Sequence, residues 1–277
     1  MGFGKYLKRV GKYIIKGVPH VNITANLSTI NYGGLLKDKT VLVTGGARGL
    51  GYYFAKKCLS EGARVIITGR DIERLNEAKK QFGEKCYVEQ FDICDVDNVD
   101  DFAKRLFNVY GNVDCVVSNA GVSLHEGDIS KVTIEGYDKQ FDTNVRGAYF
   151  LAKSYLKYRD RNKSSSYIFI SSERGFQCDN IPYGLTKASI NSLTKGLARK
   201  FYRDNIRFNA IAPGITATEM TGRDPNGNMH EEAQVAGRFF LPEEVAEVVA
   251  FLLSDASKCI SGEVIACDAG QYISSYY

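Results

Sequence analysis

From about Lys39 onward the chain alternates short, almost uninterrupted apolar runs with longer segments whose apolar residues return at helical spacing. The runs at 40–43, 64–68, 86–90, 113–117, 167–170, 206–211 and 262–267 are expected strands, and the first helix between them is expected from Leu50. Runs that are apolar on both faces suit a parallel sheet covered on both sides, and the intervening segments are long enough to serve as helical crossovers. The predicted fold is therefore α/β, one doubly wound parallel sheet with helices on both faces. No repeat, low-complexity tract or Pro/Gly/Ser linker divides it, so the pattern predicts a single domain over 38–277 preceded by an arm over 1–37. Within the domain, 215–241 contains Gly222, Pro225 and Gly227 ahead of a clear helix at Pro242, and is expected to be a long excursion of the kind used as a substrate lid.

The arm changes the charge picture. Of the formal net charge of +4, Lys5, Lys8, Arg9, Lys12 and Lys16 supply +5 in a stretch without acidic residues, leaving −1 for the rest. A nearly neutral body gives no pull toward nucleic acid, whose binding needs clustered cations on phosphates. On a helical projection Phe3, Leu7, Val10 and Ile14 share one face opposite the cations, which makes a basic amphipathic helix. A helix this short is marginal in water unless its apolar face is covered. Docking on the protein or a neighbouring subunit is the expectation, and contact with an anionic membrane surface the alternative. Seven scattered cysteines without a C-x-x-C pair argue for free thiols and no metal site. With no apolar stretch near the ~18 residues of a spanning helix and no secretory h-region, the expected setting is cytoplasmic.

The first apolar run leads into Thr44-Gly45-Gly46-Ala47-Arg48-Gly49-Leu50-Gly51 and then directly into a helical segment. Glycines there permit a tight turn and a close backbone approach, so the helix N-terminus can aim its N–H groups and positive dipole end at a pyrophosphate. Farther on, Tyr183-Gly184-Leu185-Thr186-Lys187 puts a phenol and an ammonium at i and i+4, on one helix face. A phenol titrates near ~10 unperturbed, and a neighbouring ammonium is expected to lower that value and make Tyr183 an acid/base.

The spacing T-G-x-x-x-G-x-G resembles the short-chain dehydrogenase/reductase family, and the resemblance runs from about Lys39 to Ile273. It implies a Rossmann fold and a nicotinamide dinucleotide held by Thr44, Gly45, Ala47, Arg48, Gly49, Leu50 and Gly51. Asp92-Ile93 resembles the family's adenine-contacting pair. Ser118-Asn119-Ala120-Gly121 resembles its N-N-A-G turn, with Ser118 in place of the first Asn and Asn119, Ala120 and Gly121 intact. The acid that holds the ribose hydroxyls in NAD enzymes of this fold is replaced by Gly69, followed by Arg70. Arg48 and Arg70 are therefore expected to face a 2′-phosphate, favouring NADP(H) over NAD(H), unless Asp71 pairs with Arg70 instead.

The resemblance also implies a catalytic set of Asn144, Ser172, Tyr183 and Lys187. Ser172 would orient the substrate oxygen, with Ser171 as the alternative; Tyr183 would transfer the proton; Lys187 would hold the nicotinamide ribose; and Asn144 would support a water-linked proton path. Pro213-Gly214-Ile215-Thr216-Ala217-Thr218 resembles the segment that receives the carboxamide, with Pro213, Gly214, Thr216 and Thr218 as contacts. Ser172 and Tyr183 are 11 residues apart, about two fewer than usual in the family, which puts the shape of the intervening loop in question. His125, His230 and Cys178 lack the partners that a metal, triad or reactive-thiol assignment needs. Arg174, Arg223 and Arg238 are read as exposed loop arginines rather than anion ligands.

The implied function is carbonyl–alcohol oxidoreduction with NADP(H), running as a reductase on a 3-oxoacyl, small ketone or sugar-like substrate. A homotetramer pairing through 243–253 and 262–267 is expected from the same resemblance. Two rivals are weighed: a sugar-nucleotide-modifying enzyme, which resembles T-G-x-x-G-x-x-G and carries a larger C-terminal domain, and a cofactor-binding sensor or scaffold that has lost catalysis.

Overall fold

The computed structural model describes residues 21–24 and 33–273. Seven parallel strands form one sheet: β1 Thr40–Thr44, β2 Arg64–Gly69, β3 Cys86–Gln90, β4 Cys115–Ser118, β5 Ser165–Ile170, β6 Ile206–Pro213 and β7 Val264–Cys267. Their order is β3-β2-β1-β4-β5-β6-β7. The chain winds outward from β1 in one direction and from β4 in the other, so the crevice beyond the carboxyl ends of these two strands is where a doubly wound sheet binds its ligand.

The crossovers are α1 Gly49–Ser60, α2 Ile72–Phe82, α3 Val99–Tyr110, α4 Ile134–Phe141, α5 Ala148–Tyr158, α6 Pro182–Phe201 and α7 Pro242–Leu253. Alternation along each strand feeds two cores. Val41, Val43, Val65, Ile67 and Ile168 pack with Phe54 of α1 and with Val249 and Leu253 of α7. On the other face Leu42, Ile66, Val116, Tyr167, Phe169 and Phe208 pack against α3, α5 and α6.

Local chemistry sets the helix ends. Asp71 accepts from the amides of Glu73 and Arg74 and so caps α2, Thr133 caps α4, and Pro182 occupies the first turn of α6, where a missing N–H is harmless. Between α4 and α5 the helix continues as a π-turn over Asp142–Gly147, which the sequence pattern did not announce.

The basic amphipathic helix expected over Phe3 to Lys16 lies outside the described residues. Farther along the arm, Leu36 is wholly buried in the first core, and the amides of Gly34 and Leu35 donate to Glu61. Residues 21–24 run against the expected lid, with Ile23 bonded to the Asn228 side chain and to the Met229 amide. The lid segment itself contains a short 3-10 helix, Glu219–Thr221, and a small apolar cluster of Ala217, Met229 and Phe239. No helix among the described residues is long and apolar enough to cross a membrane.

Candidate active site

Beyond the β1 and β4 ends lies a cleft of about 1190 Å³. Its floor at one end is the glycine turn. Gly45 and Gly49 have φ of +66° and +53°, which favours glycine, and a Cβ on Gly51 would collide with the Gly45 carbonyl oxygen. Helix α1 can therefore start close under the turn, and no side chain caps its N-terminus. The turn is tied to β4: the Thr44 hydroxyl accepts from the amides of Asn119 and Ala120 at 2.9 Å each, and Asn119 Nδ2 donates to the carbonyls of Thr44 and Gly45. This network leaves Ser118 outside it, so the departure from N-N-A-G is absorbed by the intact Asn119.

Thr44, Gly45, Ala47, Arg48, Gly49 and Leu50 line the cleft, as do Arg70, Asp92, Ile93, Asn119, Ala120 and Gly121. Pro213, Gly214, Thr216 and Thr218 line the opposite wall, and Ser172, Tyr183 and Lys187 converge between them. Two expected site residues lie behind the walls instead. Gly51 acts beneath the turn. Asn144, 3% exposed and on the π-turn, donates to Val122 O and Thr186 Oγ1 and accepts from the Val122 amide. π-Turns in helices often mark sites of function, and this one turns Asn144 toward the backbone that leads into the cleft.

The two serine alternatives differ in their commitments. Ser171 Oγ donates to Asn191 Oδ1 at 2.6 Å and lies 3.2 Å from the Lys187 carbonyl, so its hydroxyl is spent on holding α6 to β5. Ser172 Oγ accepts the Arg174 amide at 3.3 Å and sits on the cleft within hydrogen-bonding reach of Tyr183.

Lys187 Nζ donates to Ile170 O at 2.8 Å and lies 5.5 Å from the centre of the Tyr183 ring. Burial lowers the lysine to about 8. The expectation that this ammonium lowers the Tyr183 pKa is corrected by the structure. Burial raises Tyr183 above its ordinary value; the Ser172 hydroxyl and Arg174 pull it down, and Glu173 adds to the rise. Desolvation of the phenolate outweighs the favourable partners.

The arginines also sort themselves. Asp71 pairs with Arg74 at 3.3 Å, so Arg70 keeps its exposed side chain for the cleft. Arg74, one turn into α2, also lines the cleft and was missed in the sequence reading; its signal was its place three residues after the capping Asp71. Glu219, in the 215–241 segment, reaches Arg48 at 3.4 Å and Arg74 at 3.8 Å. Arg174 is not a free loop arginine, since it grips Asp179 through two hydrogen bonds of 2.6 and 2.7 Å. Arg238 does the same with Glu244, while Arg223 lies over the Phe239 ring. His125, at φ +55°, links its ring to the Met220 carbonyl.

A family model described as enoyl-(acyl carrier protein) reductase matches residues 45–271. The chain belongs to the short-chain dehydrogenase/reductase family. This short-chain dehydrogenase/reductase is 30% identical over 245 residues to the 3-oxoacyl-(acyl-carrier-protein) reductase of Aquifex aeolicus, covering 86% of this chain and 98% of that one. It is 31% identical over 249 residues to gluconate 5-dehydrogenase of Gluconobacter oxydans, covering 86% and 96%. Among solved structures, the 3-ketoacyl-(acyl-carrier-protein) reductase of Brucella melitensis complexed with NADH matches with a TM-score of 0.78 at 26% identity, over 86% of this chain and 99% of that one. Like these relatives, the protein is an oxidoreductase of the carbonyl–alcohol class.

Proposed function

We propose that the protein is an NADP(H)-dependent reductase that converts a carbonyl to an alcohol, with a 3-oxoacyl, small ketone or sugar-like compound as substrate. The observation that carries this reading is the convergence of Ser172, Tyr183 and Lys187 on one cleft whose far end is a glycine turn under an uncapped helix N-terminus. The residues fit a dinucleotide. A Cβ at Gly45 would press on Asn119 and Ala120, so glycine lets the turn pack directly on the β4 end, while at Gly49, where a Cβ would meet nothing within 4 Å, the turn is open to the cleft. The α1 amides favour a pyrophosphate. Arg48, Arg70 and Arg74 supply planar cations for a 2′-phosphate at a position without a competing acid on β2; the exposed contacts of Glu219 to Arg48 and Arg74 are of the weak surface kind that a phosphate can displace. Asp92 and Ile93 flank the adenine end, and Pro213, Gly214, Thr216 and Thr218 the carboxamide end.

When bound, the nicotinamide cofactor supplies the hydride. Ser172 donates a hydrogen bond to the substrate oxygen, and Tyr183 gives that oxygen its proton. With its pKa held above the ordinary value, the phenol carries the proton that donation requires. Lys187, charged below about 8, holds the ribose hydroxyls beside Tyr183. Asn144 fixes the Val122 backbone and the Thr186 hydroxyl that frame this pair.

The test is oxidation of NADPH and of NADH across a panel of 3-oxoacyl thioesters, simple ketones and keto sugars. Turnover favouring NADPH supports the reading; cofactor binding without turnover on the whole panel contradicts it in favour of a sensor. We also infer a homotetramer pairing through α7 and β7, with the arm packed on protein, and a cytoplasmic setting consistent with free cysteines throughout the described residues. A monomer by light scattering would overturn the assembly.

A further inference from the structure

Glu173 directly follows Ser172 and lines the same cleft, yet the chemistry above gives it nothing to do. Glu173 as a whole is 8% exposed, and its Oε2 is buried without a hydrogen-bond partner. The neighbouring groups are already committed. The Arg174 guanidinium is held by Asp179. The two carboxylate oxygens of Asp268, the group that most opposes a charge on Glu173, accept from the amides of Gly270 and Tyr272. Burial first, and Asp268 second, raise the Glu173 pKa to about 7. A buried carboxyl without a partner is destabilising, and an apolar side chain of similar volume would serve the fold better. Such a group beside a reacting centre has the character of a ligand contact.

We propose that Glu173 is a specificity-determining residue that accepts a hydrogen bond from a hydroxyl on the carbon next to the reacting carbonyl. The substrate class is then an α-hydroxy ketone, reduced to a vicinal diol, as in polyols and sugar-like compounds. This rests on the reading of Ser172 and Tyr183 given above. Glu173 lines the cleft and its charge acts on Tyr183, so a substrate held by its oxygen at Ser172 and Tyr183 presents the substituent on its neighbouring carbon to the Glu173 side of the cleft. A ketone without that hydroxyl leaves the carboxyl desolvated and unpaired, and a site built to receive a hydroxyl discriminates strongly against its absence. Glu126, on another wall of the cleft, also has a buried Oε2 without a partner, which fits a substrate carrying several donors.

The experiment compares kcat/KM for 2-hydroxycyclohexanone, 2-methoxycyclohexanone and cyclohexanone, with each cofactor, in the wild type, Glu173→Gln and Glu173→Met. The wild type should prefer the hydroxy ketone over the methoxy ketone by about tenfold or more. Glu173→Gln, which keeps an acceptor oxygen, should retain part of that ratio, and Glu173→Met should bring it close to one while unfolding at the same or a higher temperature. A ratio that survives in Glu173→Met overturns the proposal, as does a lower unfolding temperature for that variant, because the carboxyl would then have a structural partner. Turnover of none of the three ketones by the wild type overturns this proposal, and the panel of 3-oxoacyl thioesters, ketones and keto sugars then decides separately whether the reductase reading stands; turnover of all three without preference overturns this proposal alone.

Discussion

Replacing Arg174 by alanine should loosen Tyr183, the proposed proton donor, without touching it. Arg174 and Asp179 clamp the short loop between Ser172 and Tyr183, and the Asp179 carboxylate lies against Gly184, where even a Cβ would collide with it. The Asp179 side chain is 3% exposed and that of Arg174 42%. Removing one partner of a fully buried pair costs about 3–5 kcal/mol; with one partner almost half open to solvent, about 2 kcal/mol is the appropriate expectation. Asp179 would keep little beyond backbone donors such as the Ile181 amide at 3.2 Å. Because the loop runs straight into the first turn of α6, kcat should fall by about tenfold, the effect of a small misplacement of a reacting group. Urea unfolding of the wild type, Arg174→Ala, Asp179→Ala and the double variant should give a coupling energy of about 1 kcal/mol or more. The Asp179 pKa is depressed in the folded protein, so the pair's contribution is present above the ordinary carboxylate range and is lost as the pH falls through the folded value. The deficit of Arg174→Ala should therefore shrink in acid. Additive single variants, or a deficit independent of pH, would refute the clamp.

Two further outcomes follow from the cleft. Arg48→Ala, Arg70→Ala and Arg74→Ala combined should weaken NADPH binding by about a hundredfold while changing NADH binding little, measured by fluorescence titration; equal losses would remove the 2′-phosphate assignment. Because burial lowers Lys187 to about 8, its charge is present below that pH and lost above it, so kcat/KM for reduction should fall as the pH rises through about 8. A profile that stays flat well above that value would show that the ammonium is not needed.

The fold was legible because the strands are apolar on both faces and the glycine turn sits where the first strand meets a helix; the pattern placed all seven strands within about two residues of their ends. Motif spacing likewise named many of the residues that line the cleft, although Gly51 and Asn144 lie behind its walls. What was not legible is the three-dimensional setting of each side chain, its orientation and burial, which spacing does not show. Nothing local announces that Arg174 is spent on Asp179, that Ser171 is spent on Asn191, or that Asp71 turns to Arg74 instead of Arg70. The pKa of Tyr183 was misjudged for the same reason: i, i+4 spacing shows the lysine but not the burial, and burial is the larger effect. Arg74 and Glu173 were passed over because each stands in a segment read for another residue, the cap of α2 in one case and the catalytic serine in the other.

The central claim is that Tyr183 gives the substrate its proton, and Tyr183→Phe tests it most directly, because the change removes one hydroxyl and leaves the ring over which Lys187 lies. Single-turnover NADPH oxidation should slow by a factor of about 10² to 10⁴, while the Kd for NADPH stays within about threefold of the wild type. Turnover by Tyr183→Phe close to that of the wild type would contradict the account.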